Sequence, residues 1–284
     1  MEKVISIIGL YFVMSSCPFT GSDTGKQELN NSTQSSAATP VDLPDLPFGV
    51  AAPMVPVAKG VYTPLYGRDS VRANIRDFYM DVYPVSNMHY LAFVKKNDRW
   101  RKSGVKKIFA DDNYLLKWKN DTTLGQLINP NGPVTHVSWF AAKAFCECQG
   151  NRLPTVDEWE YVAMADQEVA DARMIASYNQ YILDWYEKPK TFSNSIGKTF
   201  KNYWRIYDLH GLVWEWTSDF NSVLLTGESR NDMTTDNNLF CGSGSLKAND
   251  LMNYAAFMRY AFRGSIKANY AIQNLGFRCV KDSL

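Results

Sequence analysis

This chain has no excess of charge of either sign: its 30 lysines and arginines nearly cancel its 29 aspartates and glutamates, for a formal net charge of +1. Nothing in that balance draws the protein to nucleic acid or to an acidic lipid surface, so neither is expected as a partner on electrostatic grounds. Histidine is scarce, and His89, His136 and His210 are scattered without ligand-like spacing. Each reads as a hydrogen-bonded structural residue. There is no HExxH pair, no glycine-rich phosphate loop and no serine with an identifiable base partner, so no motif points to zinc-peptidase, nucleotide-binding or serine-hydrolase chemistry. Repeats and low-complexity segments are missing too, and no apolar run reaches the ~20 residues of a membrane-spanning helix.

Aromatic residues, by contrast, are plentiful, at 14% of the chain with eight tryptophans. That abundance suggests an irregular, aromatic-packed core rather than a plain helical bundle. Apolar and charged fractions of 45% and 21% are ordinary for a globular protein.

The N-terminus carries a short apolar run, Val4 to Met14, followed by Ser15, Ser16 and Cys17. It suits the h-region of a signal peptide. Small residues just before a cysteine resemble a bacterial lipoprotein signal, in which cleavage leaves Cys17 to carry lipid; an ordinary secretory signal with an incidental cysteine is the competing reading. Residues 18–48 are polar, small and proline-punctuated, the composition of a flexible tether. The expected organisation is therefore a lipoprotein signal peptide over 1–17, a tether over 18–48 and one globular domain over 49–284. Such a protein is exported and held at the periplasmic or cell-surface side, touching the membrane through its lipid alone. The compartment is oxidising, and Cys146, Cys148, Cys241 and Cys279 remain as an even set available for pairing.

Within the domain, Phe78, Met80 and Val82 alternate with Tyr79, Asp81 and Tyr83, the pattern of a half-buried strand. Pro84 ends it, and Ser86 can cap a helix through Asn87 to Val94. Residues 95–132 read as loops pinned by Trp100, Phe109, Tyr114 and Trp118. Ser138 can cap a helix that stops at Gly150, a natural residue for the left-handed turn past a helix end. Thr155 and Glu158 have capping-box spacing for a second helix through EWEYVAMA. Past about Phe192 the chain reads as strands and long loops. Few short strands, two main helices and much irregular structure predict an α+β domain.

Four segments carry a specific resemblance. PVTHVSWFAAKAFCECQGNRLPTVDEWEYVA (133–163), HGLVWEWTSDF (210–220), NLGFRC (274–279) and FYMDVYPVSNMHYLAFV (78–94) stand in the order of the signature segments of formylglycine-generating enzymes, the sulfatase-modifying-factor family. The resemblance implies a C-type-lectin-like, loop-rich fold. It also implies a disulfide between Cys146 and Cys279, and the loss as a unit of a second bridge whose positions fall at Ala163 and Ala261.

The family oxidises a substrate cysteine with copper(I) held by two thiolates, soft donors suited to that ion. The resemblance puts that pair near residues 248–256, where Ala248, Leu251 and Ala256 stand. Cys241 lies upstream, a weak catalytic candidate that reads first as a packed structural thiol. Copper is therefore not expected as a cofactor. Cys146 and Cys148 are two apart on a helix, about 200° around its axis, and cannot chelate one metal together. Cys148 falls on an apolar stripe and reads as a buried, inert thiol, with a Cys148–Cys241 bridge as the alternative.

In relatives the segment around Glu215 binds calcium, which carried over gives backbone oxygens of His210, Gly211 and Val213 and the carboxylate of Glu215. The competing reading is a buried glutamate hydrogen-bonded to a loop. Trp216, with Ser243 or Ser245, matches residues of the family's substrate groove, although a tryptophan in a dense aromatic core is structural first. Three functions follow from the resemblance. The foremost is an accessory, maturation or peptide-binding protein, akin to cysteine-poor relatives associated with copper nitrite reductase. The others are an oxidative tailoring oxidoreductase and, last, a formylglycine generator with a displaced site.

Overall fold

The structure, a computed structural model, describes residues 52–64, 72–222 and 251–283. Cys17, Cys241, Ser243 and Ser245, the signal peptide and the tether lie outside them. All described residues belong to one unit, Leu43–Leu284.

Alternation builds the main sheet. Strands β1 (Met54–Val57), β4 (Phe78–Asp81) and β7 (Val280–Asp282) pair antiparallel in the order β1-β4-β7. Phe78, Met80 and Val280 are 1%, 0% and 0% exposed, so one face of the sheet is fully covered, while Tyr79 points to solvent. Asp81 departs from the expected outward position and is buried. Its Oδ2 accepts from the Cys279 backbone N–H at 2.8 Å, a partner that only the neighbouring strand supplies. Strands β2 (Gly60–Tyr62) and β3 (Ala73–Ile75) form a hairpin pair beside the sheet.

Three helices begin where their caps predict. Helix α1 spans Asn87–Lys96, with the Ser86 hydroxyl accepting from the His89 N–H. Helix α2 (Trp139–Cys148) is capped by Ser138, and Gly150 beyond its end takes φ 71°. Helix α3 (Val156–Ala163) carries both halves of the Thr155–Glu158 capping box. Arg152 then clamps Glu158 through two N–H···O bonds of 2.7 Å and reaches Asp282 of β7, tying the helix start to the sheet. Between Arg101 and Ser138 no helix or strand forms, and buried Trp100, Tyr114 and Trp118 hold the loops in place.

Two helices were not foreseen. Helix α4 (Ala176–Glu187) starts without a side-chain cap. Helix α5 (Leu251–Ser265) runs through a stretch read from sequence as strands and loops. Both belong to a small apolar cluster in which Tyr178 and Ile182 meet Ala255. The short parallel pair β5 (Trp214–Glu215) and β6 (Leu275–Gly276) links the two C-terminal signature segments. The largest core cluster lies around α1 and α2, where Tyr90, Phe145 and Phe277 pack ring on ring beside the Cys146–Cys279 disulfide.

Candidate functional site

Five stretches of the chain converge on a cavity of about 370 Å³: Trp159 of α3, residues 185–192 running on from the end of α4, residues 209–215, Phe262 and Arg263 of α5, and Gln273 with Asn274. That volume is near the lower end of small-ligand sites, roughly 300–1,000 Å³. Its walls are aromatic. Trp214 stacks on Phe262 with ring centroids 4.8 Å apart, and Tyr186 lies 5.0 Å from Trp214. Trp185 packs flat against Gly211, whose φ of 105° and missing side chain permit the approach, since a Cβ there would stand 2.4 Å from the indole. The Lys188 ammonium sits 3.8 Å over the Trp185 ring.

Behind one wall is a buried ionic cluster. Glu160 of α3 accepts from Nε and Nη2 of Arg259 and from Nη1 of Arg263, at 2.6–3.0 Å. Side-chain exposures are 4%, 9% and 6% for Glu160, Arg259 and Arg263. Burial by itself would raise the glutamate's pKa, but the two guanidiniums outweigh it and hold the group at about 2. Helix geometry explains the pairing: residues four apart share a face, so both arginines point at the same carboxylate. The Arg263 guanidinium also lies 4.9 Å over the Trp159 ring. His210, buried nearby, donates from Nε2 to the Ala163 carbonyl at 2.9 Å. Burial, reinforced by Arg259, lowers its pKa to about 3, so the ring is neutral.

A second buried pair stands at β5. Glu215 accepts from Arg278 at both oxygens and from the Trp159 indole at Oε2, all at 2.8 Å. Both members of the pair are 0% exposed. Arg278 also donates to the carbonyls of Tyr207 and Asp81. Asp81 is pushed up to about 7 by burial, against the opposing pull of the Cys279 N–H and Arg278.

This arrangement decides how the sequence-derived sites fare. Gly211, Val213 and Glu215 line the cavity; His210, expected to contribute its backbone oxygen, is buried at 1% exposure. The set does not suit a calcium ion. The one carboxylate is already matched in charge by Arg278, and the other ionised side chains lining the cavity, Lys188, Lys190 and Arg263, are all cations. A dication needs uncompensated oxygen charge that the site lacks. Among the described residues, no group of three or more His, Cys, Asp or Glu side chains is arranged to hold a metal.

Trp216 is 0% exposed and donates from its indole to the Val137 carbonyl at 3.0 Å, a core position rather than an open groove wall. The disulfide Cys146–Cys279 is present, with Cα atoms 5.6 Å apart. Cys148, expected as a buried inert thiol, is half-buried and disulfide-bonded. Sequence reasoning missed Glu160, Arg259, Arg263 and the aromatic walls. One signal was available: two arginines four apart in MRYAFRG, set among apolar residues.

Known proteins share sequence with this chain over most of its length. A formylglycine-generating enzyme from Bos taurus is 27% identical, across 81% of this chain and 75% of its own length. The Streptomyces coelicolor enzyme of the same name is 27% identical across 74% of this chain and 79% of itself. A Bos taurus protein named inactive C-alpha-formylglycine-generating enzyme 2 is 28% identical, across 75% of this chain and 80% of itself. Among solved structures, PvdO from Pseudomonas aeruginosa superposes with a TM-score of 0.46 at 17% identity, covering 81% of this chain and 94% of that one. Residues 51–283 match the sulfatase-modifying factor enzyme 1-like domain, and the chain, an α+β fold with short strands and long loops, belongs to that family.

Proposed function

We propose that this protein is a member of the family that works without the copper-binding cysteine pair, as an accessory or maturation protein that holds a peptide or protein segment. The observation that carries the reading is helix α5. The resemblance puts copper ligands within 248–256, and α5 runs through that stretch from Leu251 onward. Ala255 and Ala256 are 2% and 1% exposed, and Arg259 and Arg263 further along lock the helix to Glu160. Copper(I) asks for thiolates, and each cysteine among the described residues, Cys146, Cys148 and Cys279, is committed to a disulfide. A family relative named as inactive is in keeping with the same reading.

Export fits this role. A disulfide-bonded domain belongs in an oxidising compartment. On this reading Cys17 carries lipid, and residues 18–48 hold the domain away from the membrane.

The test is turnover. The full chain is incubated with cysteine-containing peptides, copper(I) and oxygen, and the peptides are weighed by mass spectrometry. Unchanged peptides together with a stable protein complex are expected. Conversion of a peptide cysteine to formylglycine would overturn the proposal, and another oxidised product formed without copper would replace it with a tailoring oxidoreductase.

A further inference from the structure

Arg263 brings a positive charge to the cavity that the described residues do not balance. Glu160 is one carboxylate facing two guanidiniums, and Arg259 takes three of the four hydrogen bonds it accepts. Arg263 keeps the fourth, through Nη1 alone; its Nε and Nη2 make no hydrogen bond among the described residues. Glu215, the acidic side chain lining the cavity, is spent on Arg278. Buried charges are matched by partners, and here the match is one anion short. His210 does not absorb the difference, because it is neutral and donates to a carbonyl. Lys188 and Lys190 at the rim add charge of the same sign.

The shape of the unmet demand is specific. The Nε–Nη2 edge of a guanidinium is a planar two-donor fork, the complement of a carboxylate. A single two-donor edge matches one carboxylate, which is planar, better than a tetrahedral phosphate. The walls of the same cavity include indoles and a phenyl ring, which favour a flat apolar body over a hydrated one.

We propose that this cavity binds an aromatic carboxylate, its carboxylate on Arg263 and its ring against Trp185 and Trp214. The ligand is either a free aryl carboxylate or the C-terminal aromatic residue of a peptide; the recognising chemistry is shared. The inference holds whether the protein acts as an accessory or as an enzyme, since it concerns neither copper nor thiols.

Calorimetric titration of the full chain with four probes tests it: N-acetyl-phenylalanine, its amide, and a short peptide ending in phenylalanine as the acid and as the amide. At least one acid should bind about tenfold or more tighter than its amide, the scale of a charge-assisted hydrogen-bond pair. Arg263→Met should erase that preference. It leaves Glu160 and Arg259 as a matched pair, so the variant is expected to fold. If it does not, the acid–amide comparison on the unaltered chain still decides. A tighter peptide acid identifies a chain terminus as the ligand, and a tighter N-acetyl-phenylalanine a small molecule. Equal binding of acid and amide, no saturable binding of any probe, or a preference that survives in Arg263→Met would overturn the proposal.

Discussion

Replacing Glu160 with glutamine tests the buried cluster with almost no change of shape. In the native protein one carboxylate accepts four hydrogen bonds from two guanidiniums, with all three side chains 9% exposed or less. Glutamine keeps one acceptor oxygen, turns an N–H₂ toward an arginine and removes the only charge among the described residues that offsets two cations. Removing one partner of a buried ion pair costs about 3–5 kcal/mol. Glu160→Gln belongs at the upper end, because two like charges are left facing each other. Against a total stability of roughly 5–15 kcal/mol, that loss is large. Arg263→Met is the matched control: it leaves a one-to-one pair and adds apolar volume, so it should stay within about 1.5 kcal/mol of the unaltered chain. Urea unfolding followed by far-ultraviolet circular dichroism, with disulfides intact, reads both variants. A Glu160→Gln protein within about 1 kcal/mol of the native one would refute the reasoning, as would an Arg263→Met protein that loses as much as Glu160→Gln.

Two further perturbations follow from the structure. The Cys146–Cys279 bridge closes a separation of 133 residues, so the double serine variant should lose about 5 kcal/mol on the chain-entropy estimate, read as a lower unfolding midpoint under non-reducing conditions. His210 is held neutral down to about 3, whereas the unfolded chain protonates it near 6.5. Acidification through that window therefore favours unfolding, while Asp81, held up to about 7, opposes it by keeping its proton in the folded state. In His210→Gln only the Asp81 contribution remains of the two. The slope of stability against pH between about 6.5 and 4 should then differ from the native slope by about 1.4 kcal/mol per pH unit; identical slopes would contradict the assignment.

What could be read from the sequence was local. Ser86, Ser138 and the Thr155–Glu158 box announce their helices through chemistry contained within four residues, and each helix begins at its cap. The loop region pinned by Trp100, Tyr114 and Trp118 was legible from composition, and the Cys146–Cys279 bridge from the family resemblance. Helix α5 was not legible, because Arg259 and Arg263 interrupt its apolar stripe. They face inward only because Glu160 waits 99 and 103 residues away. Helix α4 lacks a side-chain cap and so gave no start signal. Asp81 sits on the polar side of the strand's alternation, yet a partner 198 residues distant draws it into the core. For Glu215 the sequence offers a calcium ligand or a buried, loop-bonded glutamate, because its counter-ion Arg278 lies 63 residues on and outside any local pattern. The cavity needs residues from five separate stretches, so no single motif could announce it.

On the proposed function, this domain keeps the family fold without its copper chemistry. Titration of the full chain with copper(I) against a competing chelator, beside a Cys241→Ser variant, tests it most directly. No tight stoichiometric binding and no difference between the two proteins are expected. Stoichiometric copper(I) binding that disappears in Cys241→Ser would contradict it and make that cysteine a ligand.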